Sequence, residues 1–76
     1  MKELIRTIVV ELVDHPDQVS VTEIAGDNNC LIELRVAKED IGKVIGKEGR
    51  TAQSMRTILT AVSTKLGRRA HLDIVD

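Results

Sequence analysis

Three glycines fall within the stretch IGKVIGKEGR (residues 41–50), at Gly42, Gly46 and Gly49. Inside a helix or strand each glycine forfeits roughly 0.5–1 kcal/mol relative to alanine, so a cluster of them marks backbone that turns sharply or meets something closely. Gly46 ends the element before it, and the chain restarts after Gly49. The rest of the fold has to be built around that break.

Apolar periodicity supplies the other elements. Leu4, Ile5, Ile8, Val9, Leu12 and Val13 recur at three- and four-residue spacings, which predicts an amphipathic helix. Pro16 disfavours helical geometry at His15, so this helix is expected to stop near Asp14. Residues 18–24 (QVSVTEI) alternate and are β-branched, predicting a strand, and GDNN (26–29) carries turn chemistry. Residues 30–36 (CLIELRV) set Cys30, Ile32, Leu34 and Val36 on one face, a second strand hairpinned to the first. Residues 38–45 (KEDIGKVI) predict a short helix with Glu39 and Asp40 complementing the dipole of its first turn and Ile41, Val44 and Ile45 on one side. After the glycine turn, Ala52, Met55, Leu59, Val62 and Leu66 mark a long helix ended by Gly67. Residues 69–75 (RAHLDIV) alternate again with Ala70, Leu72 and Ile74 inward. The order helix, strand, strand, helix, helix, strand predicts one α+β domain over 1–76, a three-stranded sheet with its helices on one face.

Composition narrows the function. The chain has no Phe, Tyr or Trp, so its core is aliphatic, and modes of nucleic-acid binding that stack bases on those rings are excluded. One cysteine, Cys30, rules out an internal disulfide, and it alternates with core residues as a small buried hydrophobe. No His/Cys spacing suits a metal, so neither a metal nor a cofactor is expected. No Ser/His/Asp set stands in a catalytic context, and an enzyme is not expected. The N-terminal MKELIRTIVVELVDH spreads charges among its apolar residues, unlike a signal peptide or membrane span, and a cytoplasmic location is expected.

The net charge of -1 hides an asymmetry. From Lys38 to Arg69 eight basic residues (Lys38, Lys43, Lys47, Arg50, Arg56, Lys65, Arg68, Arg69) stand against Glu39, Asp40 and Glu48, a net of +5, which leaves -6 for the rest. Such a distribution fits a polyanion-binding face or, equally, a solvated helix surface. Nucleotide-binding phosphate loops fail on spacing: Gly42 to Lys47 is one residue short of G-x-x-x-x-G-K-[ST], and Glu48 stands where the hydroxyl belongs. What remains is a turn, Gly46-Lys47-Glu48-Gly49, between two helix ends. Free amides at the start of the second helix favour an anion there, while Lys47 and Arg50 add charge. Glu48 opposes phosphate unless it points to solvent or pairs with Lys47.

VIGKEGR, between two helices and after a hairpin, resembles the G-x-x-G signature of KH domains, and the element order is that of the type II variant. The whole chain is similar to the small single-KH proteins of bacteria, the KhpA family, with IGKVIGKEGRTA the most specific stretch. The resemblance implies a loop, Gly46, Lys47, Glu48 and Gly49, that clamps the backbone of about four unpaired nucleotides beside a groove for their bases. Gly42, Lys43 and Ile45 from the preceding helix and Arg50 from the following one are the implied groove residues. It further implies a single-stranded RNA-binding protein, an RNA chaperone or post-transcriptional regulator. Such proteins pair with themselves or with a larger KH protein of the Jag type, with effects on cell-wall growth and cell length. No small-molecule substrate is implied.

Alternatives stand beside these assignments. Gly42 either permits close helix packing or lets RNA approach, and Ile45 is core if Ile41 and Val44 also point inward. Arg35 and His71 are expected on solvated outer strand faces, and His15 at a helix end. Ile58, Ala61 and Val62 exceed a narrow core stripe and are candidates for a dimer interface. The competing function is a protein-protein assembly adaptor with a vestigial RNA loop.

Overall fold

The computed structural model describes residues 1–75. Helix α1 (Lys2–Leu12) leads to strand β1 (Ser20–Ala25), which hairpins into β2 (Asn29–Arg35). A short α2 (Ile41–Ile45), the long α3 (Arg50–Lys65) and β3 (Arg69–Val75) follow. Single 3-10 turns fall at Pro16–Gln18, Lys38–Asp40 and Lys47–Gly49. The expected α-β-β-α-α-β order is observed.

The sheet runs β1-β2-β3, with β1 antiparallel to β2 and β3 parallel to it. The parallel pair follows from the α2–α3 crossover, since parallel strands need a long connection. Register aligns Cys30, Ile32 and Leu34 with Ala70, Leu72 and Ile74, so the alternation of both strands presents one apolar face to the helices. Ile5 and Val9 of α1, Val44 of α2 and Met55 and Leu59 of α3 close over that face, all at most 2% exposed. Each such aliphatic side chain contributes about 1.5–3 kcal/mol by leaving water. The other face carries Arg35, His71 and Asp73, all exposed.

Several boundaries depart from expectation for identifiable reasons. Helix α1 ends at Leu12 rather than near Asp14, because Val13 is extended and the next two amides bond elsewhere: Asp14 N–H donates to Asp40 Oδ1 (3.2 Å) and His15 N–H to Asp40 Oδ2 (2.9 Å). His15 is thus held at the entry to the Pro16 turn rather than at the helix end itself. Gln18 belongs to that turn, so β1 starts two residues late. β2 covers 29–35, leaving Val36 half-buried beyond it. The helix expected over 38–45 is a 3-10 turn followed by α2. Asp40 is fully buried as the anchor of the α1–β1 connection, a role beyond dipole complementation. Leu66 is 60% exposed at the C-cap of α3, and Val62 is only half-buried; Ser63 takes a buried place instead, its hydroxyl donating to the Thr60 carbonyl (3.1 Å).

Candidate nucleic-acid interface

The glycine turn is built by three residues with positive φ that flank Lys47. Gly46 (φ 79°, ψ 172°) closes α2 by donating its N–H to the Gly42 carbonyl (2.9 Å), and Gly49 (φ 74°) donates to the Gly46 carbonyl (3.1 Å). Between them Glu48 (φ 57°, ψ 25°) adopts the left-handed conformation although it carries a Cβ, at a cost of roughly 1–2 kcal/mol. The two glycines are needed for different reasons. A Cβ on Gly46 would run into the Thr51 hydroxyl and lie 2.9 Å from the Thr51 backbone nitrogen; one on Gly49 would meet nothing within 4 Å. Gly46 is fixed by space and conformation together, Gly49 by conformation alone.

The charges are not equivalent. Arg50 lies 3.3 Å from Glu48 in an exposed pair, so Glu48 is partnered by Arg50 and not by Lys47. Lys43 Nζ lies 3.2 Å from Asp14 Oδ2 just beyond α1. Lys47 has no carboxylate partner among the described residues. Exposed pairs of this kind hold by about 0–1 kcal/mol, so an incoming phosphate can compete for Arg50 and Lys43 while Lys47 is available without competition. No side chain caps α3, whose positive dipole end opens at the same turn.

On α2 the side-chain directions differ from the sequence reading. Val44 is fully buried and Ile41 half-buried, but Ile45 is 39% exposed, so it is not core. Its i−3 neighbour Gly42 faces open space, with no atom within 4 Å of a Cβ built there, which removes helix packing as its explanation. Gly42 and Ile45 therefore leave a low apolar shelf leading to the turn. On α3, Ile58 and Ala61 are exposed and Val62 half-buried, away from the turn. Sequence reasoning missed Thr51, which determines why position 46 is glycine, and Arg56, whose guanidinium donates to the Leu72 carbonyl on β3 (3.4 Å). It also missed Glu23, which accepts the Lys2 amide (3.2 Å) at the start of α1. The Gly46–x–x–Gly49–Arg–Thr spacing was a signal for Thr51; contacts across 16 and 21 residues leave none.

Among the described residues no group of His, Cys, Asp or Glu could hold a metal ion, and no helix is long and apolar enough to cross a membrane.

A family model for the KhpA/KhpB KH domain matches residues 2–74. The chain is 49% identical to the RNA-binding protein KhpA of Aquifex aeolicus, over all of this chain and 96% of that one. It is 51% identical to the RNA-binding protein KhpA of Caldanaerobacter subterraneus over 99% of this chain and 100% of that one, and 50% identical to that of Halalkalibacterium halodurans over the full length of both. No solved structure matches the chain. With a mixed three-stranded sheet, three helices and a G-x-x-G turn between the second and third, the chain belongs to the KhpA/KhpB family of KH domains.

Proposed function

We propose that this protein, with residues 1–76 acting as one KH unit, binds single-stranded RNA by clamping its backbone at Gly46, Lys47, Glu48 and Gly49. The observation that carries the reading is Lys47: an unpartnered cation on a turn whose Gly46 admits no side chain, at the uncapped start of a 16-residue helix. The names of its relatives, RNA-binding protein KhpA, support it. A phosphate placed there meets free amides, a dipole and a lysine at once. Gly42, Lys43 and Ile45 on α2 and Arg50 on α3 line the approach for the bases. Affinity from one such domain is modest, because Glu48 opposes the phosphate and no Phe, Tyr or Trp is available for stacking.

Within this reading the protein is a cytoplasmic RNA chaperone or post-transcriptional regulator and not an enzyme. It works as a homodimer through Ile58, Ala61 and Val62 or beside a larger KH protein of the Jag type, in control of cell-wall growth and cell length. The exposure of Ile58 (41%) also favours a second reading, an assembly adaptor. A short unstructured RNA titrated against the native protein and Lys47→Asp, at two salt concentrations, separates the two. Salt-sensitive binding lost in Lys47→Asp supports the clamp; equal or absent binding in both leaves the adaptor.

A further inference from the structure

Strand β3 forms one edge of the sheet, and its outer side is open. Arg69 N–H donates to the Asn28 carbonyl (2.9 Å), so Arg69, His71, Asp73 and Val75 turn their backbone groups toward β2. The intervening residues point theirs the other way, which leaves Ala70, Leu72 and Ile74 facing outward. Among the described residues the one partner on that side is the Arg56 guanidinium, at the Leu72 carbonyl (3.4 Å). The remaining N–H and C=O groups are a template for a further strand. The two edges of the sheet differ in this respect. On β1 the register with Ile32 places Glu23 on the helix-facing side, and an inward carboxylate guards an edge against pairing. The helix-facing residues of β3 are Ala70, Leu72 and Ile74, which carry no charge.

Beside this open edge, between α3 and β3, lie two adjoining cavities of about 180 and 290 Å3 that share Thr60 and Ala70 in their walls. The larger is lined at depth by the buried Leu59 and Leu72. Side chains on one face of a strand recur about every 6.8 Å, so two successive inward residues of an added strand fall over the two cavities. Arg56 borders the larger cavity, Arg68 and Arg69 the smaller. None of the three has a carboxylate partner among the described residues. Gly67 N–H donates to the Thr64 carbonyl (3.1 Å) and Arg68 N–H to the Ser63 carbonyl (2.8 Å), so the close of α3 fixes where these last two arginines leave the backbone. Asp73 stands toward the opposite end of β3, which gathers the unopposed positive charge at Arg68 and Arg69.

We propose that the β3 edge takes up an extended acidic segment of a partner protein as a fourth strand, with alternate apolar side chains in the two cavities and carboxylates on Arg68 and Arg69. Backbone pairing supplies the affinity of such an addition, and the cavities supply its selectivity. What favours a peptide is the edge itself, whose donors and acceptors repeat every two residues as a strand's do. The proposal goes beyond the RNA reading and uses neither Lys47 nor the glycine turn.

The test titrates fluorescein-labelled Asp-Val-Asp-Val-Asp-Val-Asp, amidated at its C-terminus, into native protein, Arg68→Ala/Arg69→Ala, Thr60→Phe and Lys47→Asp. Each variant is first checked for an unchanged thermal midpoint, and binding is read by fluorescence anisotropy. The expected result is saturable binding by native protein and equally by Lys47→Asp. Binding is about five-fold weaker in the arginine double variant, as for two exposed charge pairs, and lost in Thr60→Phe, whose ring fills both cavities. A peptide with proline in place of each valine keeps the charge but loses strand N–H groups, and it binds about tenfold more weakly. In 15N spectra the valine peptide slows hydrogen exchange at the amides of Ala70, Leu72 and Ile74. No binding by native protein, equal binding of the proline peptide, or unchanged exchange at those three amides overturns the proposal. Loss of peptide binding in Lys47→Asp also overturns it, by placing the peptide at the glycine turn; the RNA clamp stands or falls on RNA binding by the same variant. A ten-nucleotide RNA that slows exchange at those amides where the peptide does not makes the groove a nucleic-acid surface, and again the proposal fails.

Discussion

The Thr51 side chain occupies the volume in which a Cβ on Gly46 would sit, so a residue in the opening turn of the third helix dictates the residue that ends the second. Alanine at 46 must displace Thr51 and also adopt φ near 79°, whereas alanine at 49 bears only the conformational cost. Gly46→Ala is expected to lose about 2–4 kcal/mol of stability and Gly49→Ala about 1–2 kcal/mol in urea denaturation. Equal losses would show that steric conflict with Thr51 is not what selects glycine at 46.

Glu48 burdens the turn twice, through left-handed backbone and through the negative charge it places 3.3 Å from Arg50. Asparagine tolerates that conformation and carries no charge. Glu48→Asn should raise stability slightly, by up to about 1 kcal/mol, and tighten RNA binding several-fold with a steeper salt dependence as Arg50 is released. Weaker RNA binding by Glu48→Asn would mean that Glu48 contributes to recognition.

Asp40 ties the end of α1 to the start of α2 with both carboxylate oxygens. Asparagine keeps one acceptor but turns an N–H2 toward the other amide, leaving a buried donor unpaired. Asp40→Asn is expected to cost about 1–3 kcal/mol, read as a lowered midpoint in chemical denaturation. A midpoint unchanged from the native protein would refute the anchoring role.

Burial pushes the Cys30 thiol up, and the nearby Glu23 carboxylate acts in the same direction. The folded protein therefore holds this proton more tightly than the unfolded chain does. Stability from this source is complete below the ordinary thiol range and declines as pH rises through it toward the raised folded value. A disulfide reagent such as dithionitrobenzoate should react slowly with native protein at pH 8 and rapidly in denaturant. Fast reaction of native protein would contradict the burial of Cys30.

Much of this architecture is legible in the sequence because binary patterning specifies each element's inner face. Ile5 and Val9, Cys30, Ile32 and Leu34, and Met55 and Leu59 all sit at the apolar-periodic positions of their elements, and all are buried. The G-x-x-G turn is legible because glycine spacing records a backbone requirement. What escapes a sequence reading involves partners distant along the chain. Nothing near Asp40 points to the amides of residues 14 and 15, so apolar periodicity and the stop set by Pro16 together carry α1 two residues too far. Apolar neighbours give Ile45 the look of a core residue, since periodicity over a five-residue helix cannot separate a buried flank from an exposed one. Leu66 keeps the phase of α3, but burial needs a facing surface as well as phase, and the C-cap of α3 has none.

The most direct test of the RNA clamp is a nuclear magnetic resonance titration of 15N-labelled protein with a short unstructured RNA, read amide by amide. The account predicts that the largest shifts fall on Gly46, Lys47, Glu48, Gly49, Arg50 and Thr51, with smaller ones on Gly42 and Ile45. Shifts confined to Ile58, Ala61 and Val62, or none at the glycine turn at saturating RNA, would contradict it.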